Sequence, residues 1–329
     1  MNNIAINIKA SVTALLQENL SANKAEKILH EIHKHFHEAT EVSGFDSKIE
    51  HLAAVSTAKG KALGLNHAAQ CLLDYKRTVQ FLKAMVSAIK DKQAKYPDEL
   101  INIFYAGCGP YAPFINLIAP LFNVDEIQFS ILEINENSLK SAKKLIQALE
   151  LTQYVKNYHL ADAVTFKIPK AETYHILFSE TLDALLYREC YVPILFNMLP
   201  QCREDITLIP ENVIVTASLL TDSIKSSKYI ENKLCNIVDA REAVEQHTGQ
   251  NIPSQLEDIK IDLEPLEMEK YLFMILDTKV HVYNDIWLDR NDSSLTLPLE
   301  MQLSQPFQKK EITFTYHMEP EIELKCVLE

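Results

Sequence analysis

The stretch INIFYAGCGPYAPFINLIAPLFNVDEIQFSILEINENSLKSAKKLIQAL, residues 101–149, decides the fold. INIFYA (101–106) is a short unbroken apolar run that stops at a glycine cluster, and IQFSILEI (127–134) is a second. Residues 112–122 between them read as an apolar helix, and ENSLKSAKKLIQAL (136–149) carries its apolar side chains at helical spacing. A third run, Tyr174-His175-Ile176-Leu177-Phe178, follows. Strands that are continuously apolar and alternate with helices predict βαβ units around a buried parallel sheet.

The glycines sharpen this reading. At about 7% usage a chain of 329 residues would hold roughly 23, yet this one holds 6, two of them in Gly107-Cys108-Gly109. Glycine after a buried strand lets backbone N–H groups come close to a ligand. The third glycine of a dinucleotide fingerprint is absent, with Tyr111 near its place. Glu133 lies 26 residues beyond Gly107, near the end of the second run, where an acid can accept two hydrogen bonds from a ribose diol. Asp162 and Ala163 follow a further strand, Tyr158-His159-Leu160, and Asp162 can accept from an adenine amino group. These elements predict a bound adenosine, and the lack of a Walker lysine argues against ATP phosphates.

Outward from this centre the texture changes. Residues 4–40 read as helices, with Ser21 as a helix start, and residues 66–93 read as one long amphipathic helix. After Pro210, ENVIVTASLL (211–220) reads as a strand and 222–247 as helical. Residues 258–329 alternate in β fashion, as in EITFTY (311–316). Three parts are therefore expected: a helical N-terminal segment (1–65), an adenosine-binding α/β domain (66–210) and an antiparallel, barrel-like β module (211–329) with a helical arm at about 222–250.

Composition narrows the function classes. Net charge is −13, and residues 251–329 hold 16 acids against 7 bases. No basic patch is visible, so a nucleic-acid partner is not expected. No apolar run reaches the ~18–20 residues of a membrane span. The N-terminus lacks a secretory pattern, so a cytoplasmic location is expected. Six scattered cysteines without a C-x-x-C pair suit free thiols. His30, His33 and His37 share a helix face, but no H-E-x-x-H pattern is present and no metal is expected.

At this point the chain resembles the protein arginine methyltransferases, which use S-adenosylmethionine. Asp74-Tyr75-Lys76-Arg77-Thr78 resembles the family's D-x-x-R-T, Ala106-Gly107-Cys108-Gly109-Pro110-Tyr111 its glycine motif, and Glu133 its ribose-binding acid. S-E-T-L-D-A-L-L-Y-R-E (179–189) is similar to its double-glutamate hairpin, and P-E-N-V-I-V-T-A-S-L (210–219) to the strand entering its barrel. The likeness spans roughly residues 65–220. It implies a Rossmann-like methyltransferase domain with a C-terminal β barrel. Asp74, Arg77, Gly107, Cys108, Gly109, Glu133, Asp162 and Ala163 would hold the cofactor, Arg77 through its methionine carboxylate, and Glu180 and Glu189 the substrate. It also implies a homodimer formed by the arm.

Two carboxylates make chemical sense for a guanidinium, a planar cation with forked N–H donors. They can clamp it and free one nitrogen for attack on a sulfonium methyl group. The chain departs from the family at its T-H-W loop, where Leu295-Thr296-Leu297-Pro298 carries neither histidine nor tryptophan. Free arginine or another small guanidine therefore stands beside an arginine residue as the expected substrate. Two alternatives remain open: a small-molecule methyltransferase with a non-guanidine substrate, and a catalytically silent partner that keeps the fold.

Overall fold

The computed structural model describes residues 2–247, 249 and 251–329. The three apolar runs and the strand at 158–160 all enter one five-stranded parallel sheet. Its strand order is Val155–Leu160, Ile127–Glu133, Ile101–Ala106, Ile176–Ser179 and Thr207–Ile209. Ile176–Ser179 is buried at every position, and Ile101–Ala106 and Ile127–Glu133 are buried at all but one. Helices therefore cover both faces, as unbroken apolar strands require. Ile101–Ala106 pairs with Ile127–Glu133 on one side and Ile176–Ser179 on the other, so the strand order reverses beside it. The crevice at that reversal is where open α/β sheets bind ligands.

The C-terminal part is antiparallel. Asn212–Leu220 pairs along its length with Phe273–Tyr283 and with Glu231–Asp239. A second sheet holds Ile259–Asp262, Glu311–His317 and Glu323–Leu328. A glycine-poor chain still turns here because asparagines take left-handed backbone, Asn284 at φ 47° and Asn291 at φ 64°.

Three expectations are corrected. The long helix at 66–93 is broken into Leu65–Gln70, a short 3₁₀ turn, and Tyr75–Lys95. The break falls at Asp74, which caps the last of these by accepting from the Arg77 N–H. The apolar stretch at 112–122 carries only Pro113–Asn116 as α-helix before a 3₁₀ turn containing Pro120. The helical arm shrinks to Ala240–Gln246, because 231–239 is a strand. Thr248 and Gln250, at the arm's expected end, lie outside the described residues. A homodimer built on a long arm thus loses the element that suggested it.

The N-terminal segment is helical at Asn2–Leu15 and Ala22–Thr40, the latter capped by Ser21. It also contains a small hairpin, Val55–Ser56 with Lys61–Ala62, which the helical reading of 1–65 did not include. The substituted glycine position anchors this segment. Tyr111 is buried, packs edge-on against Phe36 and His33, and donates its hydroxyl to the Val42 carbonyl.

Candidate functional site

One cavity lies at the strand-order reversal. Its walls include Arg77, Gly107, Cys108, Gly109, Glu133, Asp162, Ala163, Glu180 and Glu189. The glycine turn has left-handed backbone at both glycines, φ 74° and 63°. A methyl group on Gly107 would stand 2.2 Å from Thr181 Cγ2, so only a bare Cα fits between the strand end and Thr181. The Gly109 N–H donates to Glu133 Oε2 at 2.8 Å, and the Asn135 N–H to Glu133 Oε1 at 2.8 Å. Burial raises the Glu133 carboxyl, and those two N–H groups pull it back. Each oxygen keeps lone-pair capacity for a diol. Asp162 accepts from the Val164 N–H at 2.9 Å and from the Ala58 N–H at 2.6 Å.

Asp74 does not line this cavity. Besides capping its helix, its carboxylate accepts from both the backbone N–H and the hydroxyl of Ser294, each at 2.7 Å. The cofactor contact expected for Asp74 is corrected to a structural one: it places Arg77 and ties that helix to the β module.

Arg77 and Glu180 form a buried ion pair through Arg77 Nε and Glu180 Oε1, with side chains 7% and 8% exposed. Burial raises the Glu180 carboxyl, and Arg77 counteracts it. The rest of the Arg77 donor fork remains for a second anion. Glu189 differs, because among the described residues its carboxylate has no hydrogen-bond partner. Burial pushes it up to about 8, partly offset by Arg77 and reinforced by Asp183 and Glu180.

The segment between the two glutamates is strained. Leu185 and Leu186 have φ of 64° and 54°, a region costly for leucine. The β module holds them there: Leu185 N–H donates to Thr278 Oγ1 at 2.7 Å, and Tyr316 Oη donates to the Leu186 carbonyl at 2.6 Å. Thr278 and Tyr316 are essentially buried. Neither residue was singled out from sequence, since threonine and tyrosine are ordinary strand residues. Tyr316→Phe is expected to release the Leu186 carbonyl and cost about 1 kcal/mol of stability. Denaturant unfolding would check it, and an unchanged midpoint would deny Tyr316 a role in holding the loop.

The N-terminal hairpin narrows the cavity. Thr57, Lys61, Ala62 and Leu63 stand in its wall. The hairpin bridges both halves of the chain: Ala58 bonds Asp162, Thr57 Oγ1 lies 2.9 Å from Cys190 Sγ, Lys59 pairs with Glu319 and Lys61 with Glu321. The space left is about 100 Å³, below the ~300–1,000 Å³ of typical small-molecule sites.

All six cysteines are free, and no helix of the described residues is long and apolar enough to cross a membrane. No protein-family model matches the chain, and no curated protein matches it by sequence. Among solved structures it is similar to a chain of the Trypanosoma brucei PRMT1 enzyme–prozyme heterotetrameric complex with AdoHcy, at 11% identity and a TM-score of 0.48 over 79% of this chain and 92% of that one. It is also similar to Arabidopsis thaliana protein arginine methyltransferase 10 in an open conformation, at 11% identity and a TM-score of 0.48 over 80% of this chain and 93% of that one.

Proposed function

We propose that this chain is an S-adenosylmethionine-dependent methyltransferase acting on a guanidino nitrogen. The observation that carries the reading is one cavity lined by both a glycine turn with a buried acid and two half-buried glutamates, Glu180 paired with Arg77 and Glu189 without a hydrogen-bond partner among the described residues. The residues suit the cofactor. Gly107 and Gly109 leave room beside the backbone, Glu133 suits a ribose diol, Asp162 an adenine amino group, and Arg77 a carboxylate. When bound, the cofactor supplies an electrophilic methyl group on a sulfonium.

The chain's part is orientation and charge. Glu180, fixed by Arg77, and Glu189 would clamp a guanidinium between them and hold one nitrogen for in-line attack. An unpaired, half-buried carboxylate loses part of its hydration, and a cationic substrate offsets that cost. The guanidinium gains a methyl group and loses a proton, so its charge is unchanged. Glu189, with a carboxyl titrating near 8, is a workable acceptor for that proton near neutral pH.

The test is product mass spectrometry with free arginine, an arginine peptide and small guanidines. A methylated guanidine is expected, and methylation of oxygen acceptors alone would overturn the substrate assignment. The pH profile gives a second check. The clamp needs Glu189 ionised, so kcat/KM should rise through about pH 8 and level off above it. Stability runs the other way. The folded value lies above the ordinary 4.5, so Glu189 favours the folded state most at low pH and loses that contribution as pH rises through about 8. Glu189→Gln should therefore raise Tm above pH 8 and change it little near pH 4.

A further inference from the structure

A chamber of about 600 Å³ lies beyond the glutamate cage, between the double-glutamate loop and the β module. Its walls are mainly apolar, including Leu276, Leu297, Leu299 and Met301, with Asp183, Arg188 and Glu323 as charged residues among them. A groove of about 280 Å³, lined by Tyr187, Arg188, Glu189 and Ile322 among others, adjoins both this chamber and the cage. Glu189 is a wall of the cage and of the groove, while Tyr187, Arg188 and Ile322 are walls of the groove and of the chamber. The three spaces, of about 100, 280 and 600 Å³, thus share walls along Tyr187-Arg188-Glu189.

The exposed walls point to an apolar occupant. Leu297 and Leu299 are 54% and 46% exposed, and Tyr187 is 37% exposed. Such a cluster of large apolar side chains facing water marks a binding site more often than bare surface.

Resting on the reading of the cage as a guanidinium clamp, we propose that the substrate is an amphiphilic guanidine, with its cationic head between Glu180 and Glu189 and an apolar tail in the chamber lined by Leu276, Leu297, Leu299 and Met301. The tail runs along Tyr187-Arg188-Glu189.

The full chain would be assayed with methyl-, butyl-, hexyl- and octylguanidine, free arginine and an arginine peptide. Each methylene that leaves water adds about fourfold in affinity, so kcat/KM should climb by about that factor per methylene, putting octylguanidine about 100-fold or more above butylguanidine and above free arginine. Leu297→Glu should flatten the dependence on tail length, and the milder Leu299→Ala should reduce its slope if the first variant folds poorly. Equal turnover of methyl- and octylguanidine, or an arginine peptide better than every small guanidine, would overturn the tail site while leaving guanidine methylation standing. No turnover of any guanidine would instead overturn the clamp reading, and the tail site with it.

Discussion

Glu189→Gln is expected to slow methyl transfer about 100- to 1,000-fold, the range for losing one preorganised electrostatic contact, with S-adenosylhomocysteine affinity unchanged. Glu180→Gln is expected to cost both. The difference lies in Arg77. Glu189 has no hydrogen-bond partner among the described residues, so its neutralisation removes the substrate contact and the proton acceptor but leaves the Arg77 pair intact. Glu180 holds the Arg77 guanidinium in a buried pair. Neutralising it leaves a buried cation without its counter-charge, at about 3–5 kcal/mol, and lets Arg77 swing from the place where a cofactor carboxylate would meet it. Calorimetry for binding and single-turnover kinetics for transfer separate the two variants. Equal binding loss in both would sink the division of labour between the glutamates.

The second large effect is expected at Gly107. Alanine there would take on the φ of 74° and place its methyl group 2.2 Å from Thr181 Cγ2. The backbone alone costs about 1–2 kcal/mol, and the overlap must be relieved by moving either the glycine turn or Thr181. Both shape the cofactor cavity, so Gly107→Ala should abolish measurable cofactor binding. Adding Thr181→Ser removes the clashing methyl but keeps a hydroxyl, which can still meet the Ser179 hydroxyl 2.9 Å away. The double variant should therefore recover binding in part, limited by the backbone strain. Full binding by the single variant would show that the turn is not the close-approach point.

The parallel sheet was legible because buried parallel strands have no polar alternation, so INIFYA and IQFSILE stand out as runs. The acids at 133, 162, 180 and 189 were found through spacing and resemblance, and they do share one cavity. Other features were hidden for physical reasons. The resemblance of Asp74-Tyr75-Lys76-Arg77-Thr78 to a cofactor-binding motif does not separate a capping carboxylate from a ligand, because residue type alone does not distinguish them. The strand at 231–239 was read as helix because its lysine, glutamate and leucine content suits a helix. Its pairing also slips twice against Asn212–Leu220, which breaks the period-two pattern. Leucine gives no sign of positive φ, so the strain at Leu185-Leu186 became visible only with its partners Thr278 and Tyr316. The two-residue strands of the N-terminal hairpin are too short for any periodicity.

The cap on the Arg77 helix is completed from far along the chain, since Asp74 receives Ser294, and the double-glutamate loop waits for Tyr316. The loop between the two glutamates is thus shaped by the last part of the chain to be synthesised. A chain ending before Tyr316 would leave the Leu186 carbonyl without its donor, and the left-handed leucines should then relax toward ordinary backbone. The final strands set the geometry of a wall whose own sequence lies far upstream.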